Sequence, residues 1–118
     1  MEVRSIRAGD GPAVVELGGT AADVDTSALL DVLTRAYEGG SGIVDAREVP
    51  AITSPLFGVL QAVAVRLRRD GARMVVVCAE GELRRLRAMR VGRDFGLSAS
   101  LDGAIWELQR PVSRFQRR

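Results

Sequence analysis

The sequence predicts an α/β domain: a mostly parallel, mixed sheet of about five strands, opened by an antiparallel hairpin and interleaved with about four helices. Three observations carry that expectation. Apolar residues switch between a period of two and a period near 3.6, in the order β-β-α-β-α-β-α-β-α. Glycine clusters punctuate the switches. Finally, Met74-Val75-Val76-Val77 is an unbroken apolar run, as expected of a strand covered on both faces. Strands joined through helices pair in parallel by right-handed crossovers.

Each element has its own signal. Val3 to Ala8 alternates apolar and polar residues, and Gly9-Asp10-Gly11-Pro12 is a turn cluster. Ala13 to Leu17 completes the hairpin, and Gly18-Gly19 breaks it. Thr26 or Ser27 can cap a helix carrying Leu29, Leu30, Leu33 and Tyr37, which Gly39-Gly40 stops. Gly42 to Ala46 is a short strand that reaches its end near Asp45, and Glu48 to Ile52 is a connection. A second helix starts near Ser54, with Leu56, Leu60, Val63 and Leu67 facing inward, and ends at Asp70-Gly71. After the strand Arg73 to Ala79, residues Leu83, Leu86 and Met89 mark a third helix, closed by Val91-Gly92. Leu97 to Ser100 is an edge strand. Ser100 can cap a last helix through Leu101, Ala104, Ile105 and Leu108, which Pro111 stops. Residues 1–110 are expected to form one domain and 111–118 a basic tail.

Composition excludes several chemistries. The 118 residues contain no histidine and one cysteine, Cys78. A framework of internal disulfides, a zinc site of Cys and His ligands, and Ser-His or Cys-His catalysis are therefore ruled out. Cys78 follows the apolar strand and reads as an inert core thiol rather than a reactive one. No glycine-rich phosphate loop stands between a strand and a helix, since Gly39-Gly40-Ser41-Gly42 has the reverse order. No cofactor and no metal are expected, and the chain does not read as an enzyme. No apolar run approaches the ~20 residues of a membrane span, and the first residues lack the apolar centre of a signal peptide. No membrane association is expected, and the cytoplasm is the default expectation.

Charge is unevenly placed. Residues 1–50 carry a net −5 and residues 51–118 a net +7, with every base an arginine. Arg84, Arg85, Arg87, Arg90 and Arg93 gather around the third helix and its exit. They read as a solvated face or as a polar docking surface. Aromatic residues make up only 4% of the chain, so stacking on single-stranded nucleic acid is poorly served, and no direct nucleic-acid partner is expected.

The junction Ile52-Thr53-Ser54-Pro55-Leu56-Phe57-Gly58-Val59-Leu60 stands apart. Serine is a favoured helix cap and proline a favoured first helical residue. Thr53 and Ser54 therefore sit at a helix start, where free N–H groups and the helix dipole favour an anion. A phosphoryl group on Ser54 would be tolerated there and would add nearly two negative charges to a docking surface. The plainer reading is that Ser54 only caps. Phe57 lies off the inward stripe, so it either covers the sheet edge or forms, with Gly58, an apolar contact for a partner. Asp45 either serves a site at the strand ends or pairs locally with Arg47.

These residues resemble the STAS domain, which includes the anti-sigma factor antagonists. Members carry Asp-Ser-Ser/Thr-Gly-Leu-Gly-Val-Leu at this helix start, and Ser54 falls on the phosphoacceptor, with Gly58, Val59 and Leu60 matching. Val14 to Gly19, Ile43 to Ala46 and Arg66 to Val77 resemble further family passages, so the likeness spans residues 3–108. Thr53 stands for the family's Asp, Pro55 and Leu56 for its Ser/Thr and Gly, and Ala22 for another Asp. The resemblance implies a STAS-like single domain that binds an anti-sigma factor, often a serine kinase, with Ser54 or Thr53 phosphorylated. It implies partner contacts at Thr53, Ser54, Pro55, Phe57, Gly58, Asp23, Asp25 and Asp45, and leaves a homodimer open. The alternative is an accessory or scaffold STAS subunit of a stress-signalling or transporter complex, which needs no phosphorylation.

Overall fold

In the computed structural model, residues 1–6, 11–20, 24–89 and 94–109 are described. Nine elements follow one another as β1 (Glu2–Ile6), β2 (Ala13–Gly18), α1 (Thr26–Ala36), β3 (Gly42–Glu48), α2 (Ser54–Arg69), β4 (Met74–Val77), α3 (Glu80–Ala88), β5 (Gly96–Ser98) and α4 (Leu101–Gln109). Their order is the one the periodicity predicts. The strands form a single sheet in the order β1-β2-β3-β4-β5, with β1 antiparallel to β2 and the rest parallel. The fold expected from the sequence is thus the fold found.

Alternation along the strands divides the core into two layers. Val15, Leu17, Val44, Ala46 and Val76 pack with the buried stripes of α1, α2 and α3. On the opposite face Ile43, Val75 and Val77 meet Ala104 of α4, with Leu101, Ile105 and Leu108 around them. The stripe Leu56, Leu60, Val63 and Leu67 is buried as predicted, joined by Val59 and Ala64. Each large apolar side chain so buried contributes about 1.5–3 kcal/mol.

Several local expectations are corrected. Asp25, rather than Thr26 or Ser27, caps α1: its Oδ1 accepts from the Ala28 N–H at 3.0 Å. Leu29, Leu33 and Tyr37 are buried, but Leu30 is exposed, because one further residue rotates it about 100° off their stripe. Met89 is exposed as well, since α3 ends at Ala88 and leaves it at the cap position. β3 continues to Glu48, so Asp45 lies inside the strand rather than near its end. The turn at Gly9-Asp10, the stop at Val91-Gly92, Pro111 and the tail 111–118 lie outside the described residues.

One close fit positions α1 against the sheet. The Tyr37 hydroxyl donates to the Ile43 carbonyl at 2.5 Å, and burial pushes its pKa upward. Its ring lies where a side chain at 42 would go: a Cβ on Gly42 would stand 2.0 Å from it. Gly42→Ala is therefore expected to destabilise the fold by about 2 kcal/mol or more, through overpacking. Tyr37→Phe, which removes only the hydroxyl, should cost about 1 kcal/mol. Urea denaturation of the two variants checks both values and their order.

Candidate functional site

The connection from β3 to α2 is anchored before it reaches the helix. Val49 and Ile52 are buried, so the chain dips into the core on either side of exposed Pro50 and Ala51. At Ile52 both backbone groups are held by α3. Its N–H donates to Glu82 Oε2 at 2.5 Å, and its carbonyl accepts from Arg85 Nη2 at 3.1 Å. Glu82 and Arg85 bind each other through two further bonds, Nε to Oε1 at 2.6 Å and Nη2 to Oε2 at 2.7 Å. The four bonds close a ring in which each buried polar group has a partner. Glu82 is only 8% exposed. The guanidinium of Arg85 holds its carboxyl below the usual glutamate range, against the upward push of burial, with the Ile52 N–H assisting.

From this anchor the chain enters α2. Thr53 is extended, with φ −77° and ψ 166°, and its carbonyl accepts the first helical bond from Phe57 N–H at 2.8 Å. Thr53 occupies the cap position without a side-chain cap bond, and its Oγ1 is buried with no partner. Ser54 is therefore the first helical residue rather than the cap, with Pro55 next to it in the first turn, and both are exposed. No acidic residue lies in that turn, so its free N–H groups keep their positive field.

Phe57 covers rather than protrudes. It is half-buried against the core, and its ring meets Phe95 with centroids 5.8 Å apart and planes at 58°. Gly58 behaves differently: it is exposed, and a Cβ built on it meets nothing within 4 Å. Gly58 floors a shallow groove of about 240 Å³ between the starts of α1 and α2, lined by Thr26, Ser27, Leu30, Pro55, Gly58 and Ala62. The outward turn of Leu30 thus gives this groove its apolar wall.

The remaining residues singled out from the sequence fall elsewhere. Asp25 is at the start of α1, exposed and engaged as its cap. Asp45 does not face α2. Strand alternation turns Val44 and Ala46 toward α2 and sends Asp45 to the α4 side with Ile43. There it is buried and bound by Arg47, with Nε to Oδ1 at 2.9 Å and Nη2 to Oδ2 at 2.8 Å. Burial pushes its carboxyl upward, but the Arg47 bonds overcome this and hold it low. Asp23 lies outside the described residues. Cys78 is buried, which pushes its thiol pKa upward. Among the described residues no group of three His, Cys, Asp or Glu could hold a metal ion, and no helix is long and apolar enough to cross a membrane.

The sequence reading missed Glu82 and took Arg85 as part of a basic face. The spacing of three between them is a visible pairing signal, but nothing at Ile52 marks it as their common target.

This architecture is the STAS-type α/β fold. A solved counterpart is the crystal structure of an anti-sigma factor antagonist from Mycobacterium paratuberculosis, with a TM-score of 0.74 and 20% identity over 92% of this chain and 96% of that one. No family model matches the sequence, and no curated protein matches it.

Glu82→Ala is expected to lower stability by about 2 kcal/mol at neutral pH, because a charged hydrogen bond is lost and the Ile52 N–H is left without its partner. The carboxyl is depressed in the folded state, so its contribution is fully present above the unfolded value near 4.5 and fades as pH falls through the lower folded value. Denaturation curves of wild type and Glu82→Ala should therefore differ most near neutrality and converge in acid.

Proposed function

We propose that this chain is a non-enzymatic anti-sigma factor antagonist, which docks the start of α2 and the adjoining turn of α1 on an anti-sigma factor in the cytoplasm. One observation carries the reading. At the start of α2 an exposed Ser54 stands one helical turn before Gly58, a groove-lining helical glycine where an added side chain would meet no atom of the described residues within 4 Å. Glycine inside a helix costs about 1 kcal/mol relative to alanine. Close approach by another protein would account for it, and the fold shared with an antagonist supports an anti-sigma factor as that protein.

Ser54 is the better acceptor of the two candidates, because Thr53 Oγ1 is buried whereas Ser54 is exposed. A phosphoryl group on Ser54 meets the positive end of α2, so the free fold tolerates it. The same dianion, one helical turn from the apolar groove at Gly58, opposes docking. Unphosphorylated chain binds the anti-sigma factor and frees its sigma factor; a kinase activity in that partner reverses this.

A second reading, a constitutive scaffold subunit, draws on Pro55 and Thr53, which depart from the family's acceptor motif. Incubation with the partner kinase and ATP separates the two. Intact mass should rise by one phosphoryl group in wild type and not in Ser54→Ala; no gain in wild type favours the scaffold. Independently, Gly58→Ala should stabilise the free chain by about 0.5–1 kcal/mol while weakening the complex roughly tenfold or more. A complex unaffected by that substitution removes the groove from the interface.

A further inference from the structure

The sheet ends at β1, and β1 is unusual for an end strand. All five of its residues are exposed, and it pairs with β2 alone. Among the described residues nothing pairs with its outer backbone N–H and C=O groups, which can take up another strand. Natural edges are commonly protected by charged side chains, and charges of one sign oppose the pairing of a strand with its own copy. Here the pattern is Glu2-Val3-Arg4, two opposite charges flanking an apolar residue. Beside it, on the α1 side, lies an apolar cleft of about 160 Å³ lined by Met1, Val3, Val24 and Val32 among others. Val3 is 41% exposed and Val32 38%, both turned toward this edge.

We propose that β1 pairs antiparallel with β1 of a second copy, in the register that places the two Val3 residues opposite each other. That register is self-complementary. A two-fold axis through Val3 sets Glu2 of each copy against Arg4 of the other, twice over, on the face that also carries Glu16. Shifting the axis to Arg4 would oppose two like charges, so the pattern selects one register. Arg4 is free to make the exchange, since its contact with Glu16 is long, 3.7 Å, and its side chain is 75% exposed. On the other face the same axis brings the two Val3 side chains and the two adjoining clefts together. The joined sheet covers the open edge and the exposed valines in one contact, as a symmetric interface does. The groove between α1 and α2 is not used, so the inference stands apart from the proposed function.

The test uses the full chain. Sedimentation equilibrium should show a dimer. Glu2→Arg or Arg4→Glu alone should weaken it by roughly tenfold or more, and the two together should restore it. Under mild oxidation Val3→Cys should yield a disulfide-linked dimer, whereas Ile6→Cys, equally accessible on the same strand but far from the axis, should not. Circular dichroism confirms that each variant, altered only at an exposed edge, remains folded. A chain monomeric at all concentrations overturns the proposal. So does a dimer indifferent to both charge reversals, one that the double reversal fails to restore, or one that Ile6→Cys traps as readily as Val3→Cys.

Discussion

The grip of Glu82 and Arg85 on the backbone of Ile52 is the constraint on which the candidate site depends. A connection between a strand and a helix normally satisfies its polar backbone with water. Here Ile52 is buried, and its N–H and carbonyl would be orphaned there without partners. One carboxylate and one guanidinium, placed three residues apart on α3, satisfy both groups and neutralise each other. The next two residues, Thr53 with its hydroxyl buried and Ser54 exposed, then leave the core at a fixed point. Their position is set by an ion pair on another element rather than by the loop's own flexibility.

The rest of the fold serves that placement. The parallel strands β2, β3 and β4 bring their carboxyl ends to one edge of the sheet, and the β3–α2 connection leaves from that edge, where open α/β sheets commonly bind. α2 is locked along its length by the inward stripe and by Gln61 and Arg68, which both reach Asp94. Phe57 is part of this support, because its ring rests on Phe95 ahead of β5. The outer surface of the first turns of α2 and α1, by contrast, is exposed. That division between a rigid inner face and a small outer face is what a docking domain requires.

The order of all nine elements was legible in the sequence, because the period of apolar residues changes cleanly from strand to helix. Boundaries were less so. β3 carries Asp45, Arg47 and Glu48, and their polarity reads as the end of a strand, although pairing with β2 extends it to Glu48. Reading the strand short also hid which way Asp45 points. Its local bond with Arg47 was one of two visible options, whereas its face depends on the register of neighbouring strands. The serine at the start of α2 was visible from Ser54-Pro55. The anchor at Ile52 was not, because its partners lie thirty residues away and bind backbone, which carries no residue-specific signal. Leu30 gave the opposite error: it reads as core by spacing, yet forms the outer wall of the groove.

The proposed docking face for another protein lies at the starts of α1 and α2. Amide hydrogen exchange, compared between the free chain and its complex with the proposed anti-sigma factor partner, tests this most directly. Slowed exchange confined to residues 26–30 and 54–62, with α4 unchanged, is the outcome this account requires. Slowed exchange on α4 with those two helix starts unaffected would contradict it.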